Sequence, residues 1–443
     1  MSTFVKSLIA KTLTAPLQFL FTTLTAWLVT GQIGPSNYSA VLLLVGLPLL
    51  LPFLDLGTSA PLISGFSNLQ SGKSEQVRKS RADLLAFGLR RSALSSCLIL
   101  VIGFLMLVSP LAKTILGNSS GLFGDPKILL FFFAVLLSIS TLLGPTQKAL
   151  IGFGKNHFTM FFNLSISILT FLICLIATKY TLDPAIYALV PIFSSATVMI
   201  IGYFVTLRLL GISSKQIFSE FRKFSLHDVQ SVNRNANLML LITFFLALIN
   251  YSDKYLVSGS LPLQQLPGYV YLSQIYIPGW SAITGVLIVI WPYIKNWELE
   301  HGASSAMSKF VGVWTTTCIC GIFAAALFVI LAPVLISFIS HGGVEVDLVT
   351  TSAFGFLLFI QFAQFPIGVY LVSNKGLRFQ ALWLAAGAAT YVPLTLFLLQ
   401  VFGALGAVLG TIAVTLLFQL IPNFFCFRSM IRSKRNGSSA YEL

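Results

Sequence analysis

Apolar residues run along this chain in blocks of about 20, divided by short polar stretches. Blocks of that length match a hydrocarbon core ~30 Å thick at ~1.5 Å of helical rise per residue. Twelve spans are predicted, at roughly 9–30, 38–63, 92–116, 128–150, 158–178, 185–207, 236–257, 268–294, 310–338, 348–372, 381–401 and 404–427, with a tight turn at Phe402–Gly403 between the last two. Barrel strands are short and alternate in polarity. The expected fold is therefore an all-α polytopic membrane protein of twelve transmembrane helices.

The informative positions are those where the apolar pattern is broken. Span two contains LPLLLPFLDLGTSAPLI, Leu47 to Ile63, with Pro48, Pro52, Pro61, Gly57 and Asp55. Breakers are tolerated in a span where neighbouring helices or water satisfy the freed backbone, and an intramembrane acid marks a candidate functional site. Asp55 lies about 17 residues into its span, ~25 Å from the outer end. It either caps a broken helix through Gly57, Thr58 and Ser59 or joins a transport path.

Span seven carries ALINYSDKYLVSG, in which Asn250, Tyr251, Ser252 and Tyr255 flank Asp253 and Lys254. Adjacent helical residues point about 100° apart, so a simple mutual salt bridge is not expected. Either one of the two charges faces a cavity or another helix, or both reach the headgroups from an interfacial helix end. In span eight, Gln274, Tyr276 and Trp280 lie deep around an expected break at Pro278–Gly279, and could line a cavity that binds sugar hydroxyls and stacks sugar faces. Trp291 and Tyr293 suit an interfacial aromatic belt. Lys11 and Gln18, seven apart, share one face of span one, where Lys11 can snorkel to the inner interface.

Charge then sets the topology. With the N-terminus inside, 23 of the 27 Lys and Arg fall on the cytoplasmic side, which places both termini in the cytoplasm. The inner stretch 208–235 joins two sets of six spans. Its Ile217, Phe218, Phe221 and Phe224 recur at helical spacing among Lys215, Arg222 and Lys223, as in a helix lying on the inner membrane surface; a solvated basic linker is the other reading. The organisation expected is 1–207 as an N-terminal six-helix bundle, 208–235 as a cytoplasmic amphipathic linker, 236–427 as a C-terminal six-helix bundle and 428–443 as a basic tail. A weak internal echo, LIGFGKNHF against LVSNKGLRF, brings Lys155 and Lys375 to within one place of each other, as parallel repeats would.

Composition narrows the chemistry. The chain is 56% hydrophobic and only 9% charged, against roughly 25% charge in soluble domains. Its five cysteines all lie in apolar segments and read as small core residues rather than disulfides. There is no Walker loop and no HExxH, and His157, His227, His301 and His341 are scattered over loops. No catalytic residue, metal or cofactor is expected, and short outer loops disfavour a membrane polymerase or transferase.

LLPFLDLGTSAPLI in span two, and NYSDKYLVSGSL followed by YLSQIYIPGWSAITGVLIVIWPYIK in spans seven and eight, resemble the Wzx-type polysaccharide (O-antigen) flippases. These belong to the multidrug/oligosaccharidyl-lipid/polysaccharide exporter (MOP) superfamily, which also holds MATE drug exporters and lipid II flippases. The resemblance implies two six-helix bundles arranged as a V and working by alternating access. It implies an undecaprenyl-diphosphate-linked oligosaccharide as cargo, turned from the inner to the outer leaflet of a bacterial plasma (inner) membrane. Membrane lipids and polysaccharide polymerase machinery would be partners, and nucleic acid would not. The family's Asp-x-Gly falls on Asp55 and Gly57, and its Asp-basic pair on Asp253 and Lys254. Arginines or lysines that meet the diphosphate in the family have only Lys11 and Lys254 as counterparts here. The substrate-pathway set is then Lys11, Gln18, Asp55, Asn250, Asp253, Lys254, Gln274, Tyr276 and Trp280. A cation-coupled drug exporter of the same fold is the alternative.

Overall fold

A computed structural model describes residues 3–51, 57–69, 74–110, 116–180, 182–222, 230–373 and 376–435. The chain is an all-α polytopic membrane protein. Nine described helices are long and apolar enough to cross a bilayer, and a bent pair of helices makes a tenth candidate span. The chain divides into two compact units, Met1–Leu240 with Ile339–His341, and Leu241–Phe338 with Gly342–Leu443.

The first unit is built from α1 (Thr3–Ile33), α2 (Pro35–Gly46), α3 (Ser59–Asn68), α4 (Glu75–Val108), α5 (Pro126–Gly152), α6 (Asn156–Ala177), α7 (Pro184–Leu210) and a short α8 (Ser214–Arg222). Two of its scarce acids, Asp125 and Asp183, start helices. Asp125 accepts from the Lys127 and Ile128 amides at 2.9 and 3.4 Å, with Pro126 at the first helical position. Asp183 accepts from the Ala185 amide at 2.9 Å ahead of Pro184. A side-chain acceptor at the cap, followed by a proline that has no N–H to waste, is a favourable helix start.

Hydrocarbon does not drive apolar helices together, so close approach between small residues does much of the work. Gly88, Ser92 and Ser96 recur every fourth residue along α4, all buried. The Ser96 hydroxyl donates to the Ser138 carbonyl of α5 at 2.8 Å. At one end of α4 the buried Arg81 donates to the Leu69 carbonyl at 2.6 Å and to the Leu210 carbonyl at 3.3 Å. Its guanidinium also lies 4.7 Å from the Phe153 ring centroid. One cation thus holds the final carbonyls of α3 and α7 together.

In the expected second span α2 continues as a 3-10 turn over Leu47–Leu50, Leu51 at φ −107° and ψ 69° and Gly57 at φ 70° leave helical space, and α3 begins at Ser59. Asp55, within residues 52–56, lies outside the described residues. Within the amphipathic stretch Ser214–Arg222 forms α8, while Lys223 and Phe224 lie outside the described residues. Helix α8 is opened by a reciprocal capping box: the Ser213 amide donates to Gln216 Oε1 at 2.9 Å, and the Gln216 amide to Ser213 Oγ at 3.2 Å. Ile217 joins the apolar core with Leu85, Leu89 and Leu207. It therefore does not share the exposed face of Phe218 and Phe221, because the helix docks edgewise on its own bundle.

The second unit contains the end of α9 (Gln230–Tyr251), then α10 (Asp253–Ser260), α11 (Leu266–Ile339), α12 (Leu348–Ser373), α13 (Leu377–Phe402), α14 (Ala404–Val414) and α15 (Ile421–Arg435), the last two joined by a π-helical turn over Thr415–Leu420. The α11 run is two helices meeting at Gly302, whose φ of 80° and ψ of 164° leave helical space. Pro278 and Gly279 do not break the helix as expected. A membrane helix tolerates the bond a proline deletes when its surroundings satisfy the freed carbonyl.

At Gly403 the chain turns directly from α13 into α14. A Cβ on Gly406 would overlap the Leu398 carbonyl oxygen, so Gly406 and Gly410, four apart, let the hairpin close. The turns behind the sequence echo share one bond: the Lys155 amide reaches the Leu150 carbonyl at 2.8 Å, and the Gly376 amide reaches the Leu371 carbonyl at 2.9 Å. Lys375 lies outside the described residues. Of the cysteines, Cys174 is a buried core residue while Cys97 and Cys320 are exposed; all five are free.

Candidate functional site

The polar interior of the second unit begins at the bend between α9 and α10, where the axis turns by 43°. The Asn250 side-chain amide donates to the Leu246 carbonyl at 2.9 Å, and the Ser252 hydroxyl to the Leu248 carbonyl at 2.6 Å. Side chains that bond back to the carbonyl four residues earlier compete with the backbone ladder and bend helices. Asp253 then occupies the first turn of α10, an end where an acid is favoured by the helix dipole.

Asp253 and Lys254 are 6% and 5% exposed, so neither is an interfacial charge reaching the headgroups. The Asp253 carboxylate accepts from the Lys254 amide at 2.8 Å and from the Tyr269 hydroxyl of α11. A buried carboxylate needs such donors, because an unsatisfied one would neutralise or move. The Lys254 ammonium stands 5.6 Å from the Tyr255 ring centroid, a cation–π distance. Helix α10 packs on α13 and α14, and there the buried Tyr391 and Thr411 hydroxyls lie 3.3 Å apart.

From Asn250 a ladder of amides runs along one face of α12. Gln361 Nε2 donates to Asn250 Oδ1 at 2.8 Å, and Gln364 Nε2 donates to Gln361 Oε1 at 3.0 Å. One turn further, Gln380 Nε2 of α13 donates to the Gly368 carbonyl at 3.0 Å. All three glutamines are buried. Positions 361, 364 and 368 share a helical face, so the ladder follows the length of α12. It is walled by rings: Phe354 lies 5.3 Å from Tyr269 and 5.7 Å from Tyr276. Trp280 meets Phe365 edge-on at 5.2 Å.

Of the residues singled out from the sequence, Asn250, Asp253, Lys254 and Tyr276 are brought together in this interior. Gln274 is partly exposed on the same helix as Tyr276, and Trp280 lies further along it, also partly exposed. Lys11 is half-buried and Gln18 exposed on α1 of the first unit. The residues not singled out are Tyr269, Gln361, Gln364, Gln380, Tyr391 and Thr411. Gln361 and Gln364 had a usable signal, two amides three apart in an apolar span. The hydroxyls of Tyr391 and Thr411 had none. No group of His, Cys, Asp and Glu among the described residues is placed to hold a metal ion.

No protein-family model and no curated protein sequence matches this chain. Solved structures do. An inward-facing multidrug-resistance MATE family transporter of the MOP superfamily is similar at a TM-score of 0.66 and 14% identity, over 96% of each chain. The lipid II flippase MurJ in an inward closed conformation is similar at 0.64 and 15% identity, over 96% of this chain and 87% of that one. A MOP superfamily transporter from Pyrococcus furiosus, described as having a binding pocket of reversed polarity, gives 0.59 and 15% identity over 98% and 96%. At such low identity the likeness is one of fold, and the fold of this chain is that of the MOP superfamily transporters.

Proposed function

We propose that this protein is a flippase that carries an undecaprenyl-diphosphate-linked oligosaccharide from the inner to the outer leaflet of a bacterial plasma membrane by alternating access. The observation that carries the reading is the whole-chain fold likeness to a lipid II flippase, joined to the Wzx-like sequence around Asp253 and along span eight. The physical logic is that sugars and a diphosphate cannot cross hydrocarbon unaided, whereas a polyprenyl tail can stay in it. A transporter need only shelter the head group.

Within this reading the bend at Ser252 is the working element of the second unit. Asp253, Tyr269 and the amide ladder give it a fixed set of hydrogen bonds, so a change in the bend must exchange partners rather than leave buried groups bare. The first test replaces Asp253 and Lys254 with alanine, singly, and measures enzymatic accessibility of the lipid-linked sugar on the outer face. Export is expected to fall at equal protein level; unchanged export removes these residues from the mechanism.

The alternative, a cation-coupled drug exporter, draws on the equally close fold likeness to MATE transporters and on Asp253 as a buried carboxylate. Purified protein that binds a cationic drug in competition with protons would favour it.

A further inference from the structure

We propose that α8 and the adjoining end of the first unit form a docking surface for anionic phospholipid of the inner leaflet. Three observations converge on it. The first is how α8 is oriented. At about 100° per residue, the positions pass in order from Ile217 in the bundle core, through Phe221 and Phe218, to Lys215. Ile217 is 4% exposed, while Phe218 is 58% and Phe221 36% exposed. The one acid of the helix, Glu220, is buried. The helix therefore presents rings and then a cation along one flank, as a helix does when its phenyl groups enter the acyl boundary and its ammonium stays among phosphates.

The second observation is the charge around it. Arg208, in the last turn of α7, is exposed, and so are Lys215 and Arg78. The α7–α8 elbow is fixed by Gly211 at φ 68° and ψ 34°, with the Ile212 amide on the Leu207 carbonyl at 3.1 Å. Arg78 Nε comes within 3.9 Å of where a Gly211 Cβ would stand. Three cations from α4, α7 and α8 thus gather at one elbow. The exposed acids of α4, Glu75 and Asp83, share that helix with the exposed Arg78 and Lys79.

The third is the side of the membrane. The Lys and Arg count places this end of the unit in the cytoplasm, where the leaflet is anionic and attracts basic segments. Because α8 is docked through Ile217 and locked by its capping box, its exposed flank is held ready rather than ordered by the lipid. The consequence is a lipid clamp built into the first unit, independent of what the protein carries.

The test uses full-length protein with its native cysteines replaced and Phe218→Cys labelled with the fluorophore NBD. It is reconstituted into phosphatidylcholine vesicles containing either doxyl-labelled phosphatidylglycerol or doxyl-labelled phosphatidylcholine at equal mole fraction. Phosphatidylglycerol is expected to quench more strongly, by about fivefold for the enrichment one cation gives near a charged surface. The preference should vanish in the Arg208→Gln/Lys215→Gln variant and in about 1 M NaCl, where screening reaches ~3 Å. Equal quenching by the two lipids would overturn the proposal. So would an NBD emission typical of water in both vesicles, the result expected if α8 is a solvated linker or awaits a protein partner. Neither outcome touches the flippase reading.

Discussion

At the residue scale, the second unit keeps an acid and a ladder of amides inside a membrane bundle by giving each a named partner. Removing the Tyr269 hydroxyl with Tyr269→Phe takes away the side-chain hydrogen bond that α11 gives to Asp253. A hydrogen bond to a charged group contributes about 1.5–3 kcal/mol, and measured bonds inside membrane bundles run lower, to about 1.7 at most. A fall in thermal stability of about 1–2 kcal/mol is expected in detergent, and an unchanged melting temperature would place the carboxylate elsewhere. The ladder predicts an order of effects. Gln361→Leu strands both Asn250 and Gln364, whereas Gln380→Leu frees only the Gly368 carbonyl, so the first should melt well below the second. Asp253, Asn250 and Tyr276 were legible in the sequence because each interrupts an apolar run. Their partners were not, because which of several tyrosines meets the acid depends on how α11 lies against α10. Gln361 and Gln364 were legible in principle, as paired amides in an apolar span.

At the element scale, the broken helices divide by cause. The bend at Ser252 comes from side chains bonding back to the carbonyls of Leu246 and Leu248. Pro278–Gly279, the stronger breaker on paper, leaves its helix intact, since a missing N–H removes one bond while the remaining ladder and packing persist. Sequence alone overrates proline here and underrates Asn and Ser. The α13–α14 hairpin gives the sharpest test of element packing. Gly406→Ala sets a methyl against the Leu398 backbone and is expected to cost about 1–3 kcal/mol or abolish folding. Gly259→Ala on α10 meets nothing within 4 Å and should be tolerated, as monodisperse yield after purification would report. Helix starts at Asp125 and Asp183 could be read directly, because Asp-Pro has one obvious local use. The edgewise docking of α8 could not, since Ile217 and Phe218 are equally apolar and only the bundle decides which is covered.

At the scale of the molecule, hydrophobic block length was enough to announce the membrane class, and the skew of basic residues supplies an expected orientation for it. The transporter fold needed the structure, because no family model or curated sequence matches the chain while solved MOP superfamily transporters align over nearly all of it. The cargo is the claim most worth testing. Depletion of the protein in its host, followed by mass spectrometry of the extracted lipids, reads it directly. The account predicts accumulation of a polyprenyl-diphosphate-linked repeat unit, cleared when the wild-type protein is restored and retained with Asp253→Ala. A lipid fraction unchanged on depletion, with heightened sensitivity to cationic drugs in its place, would contradict it.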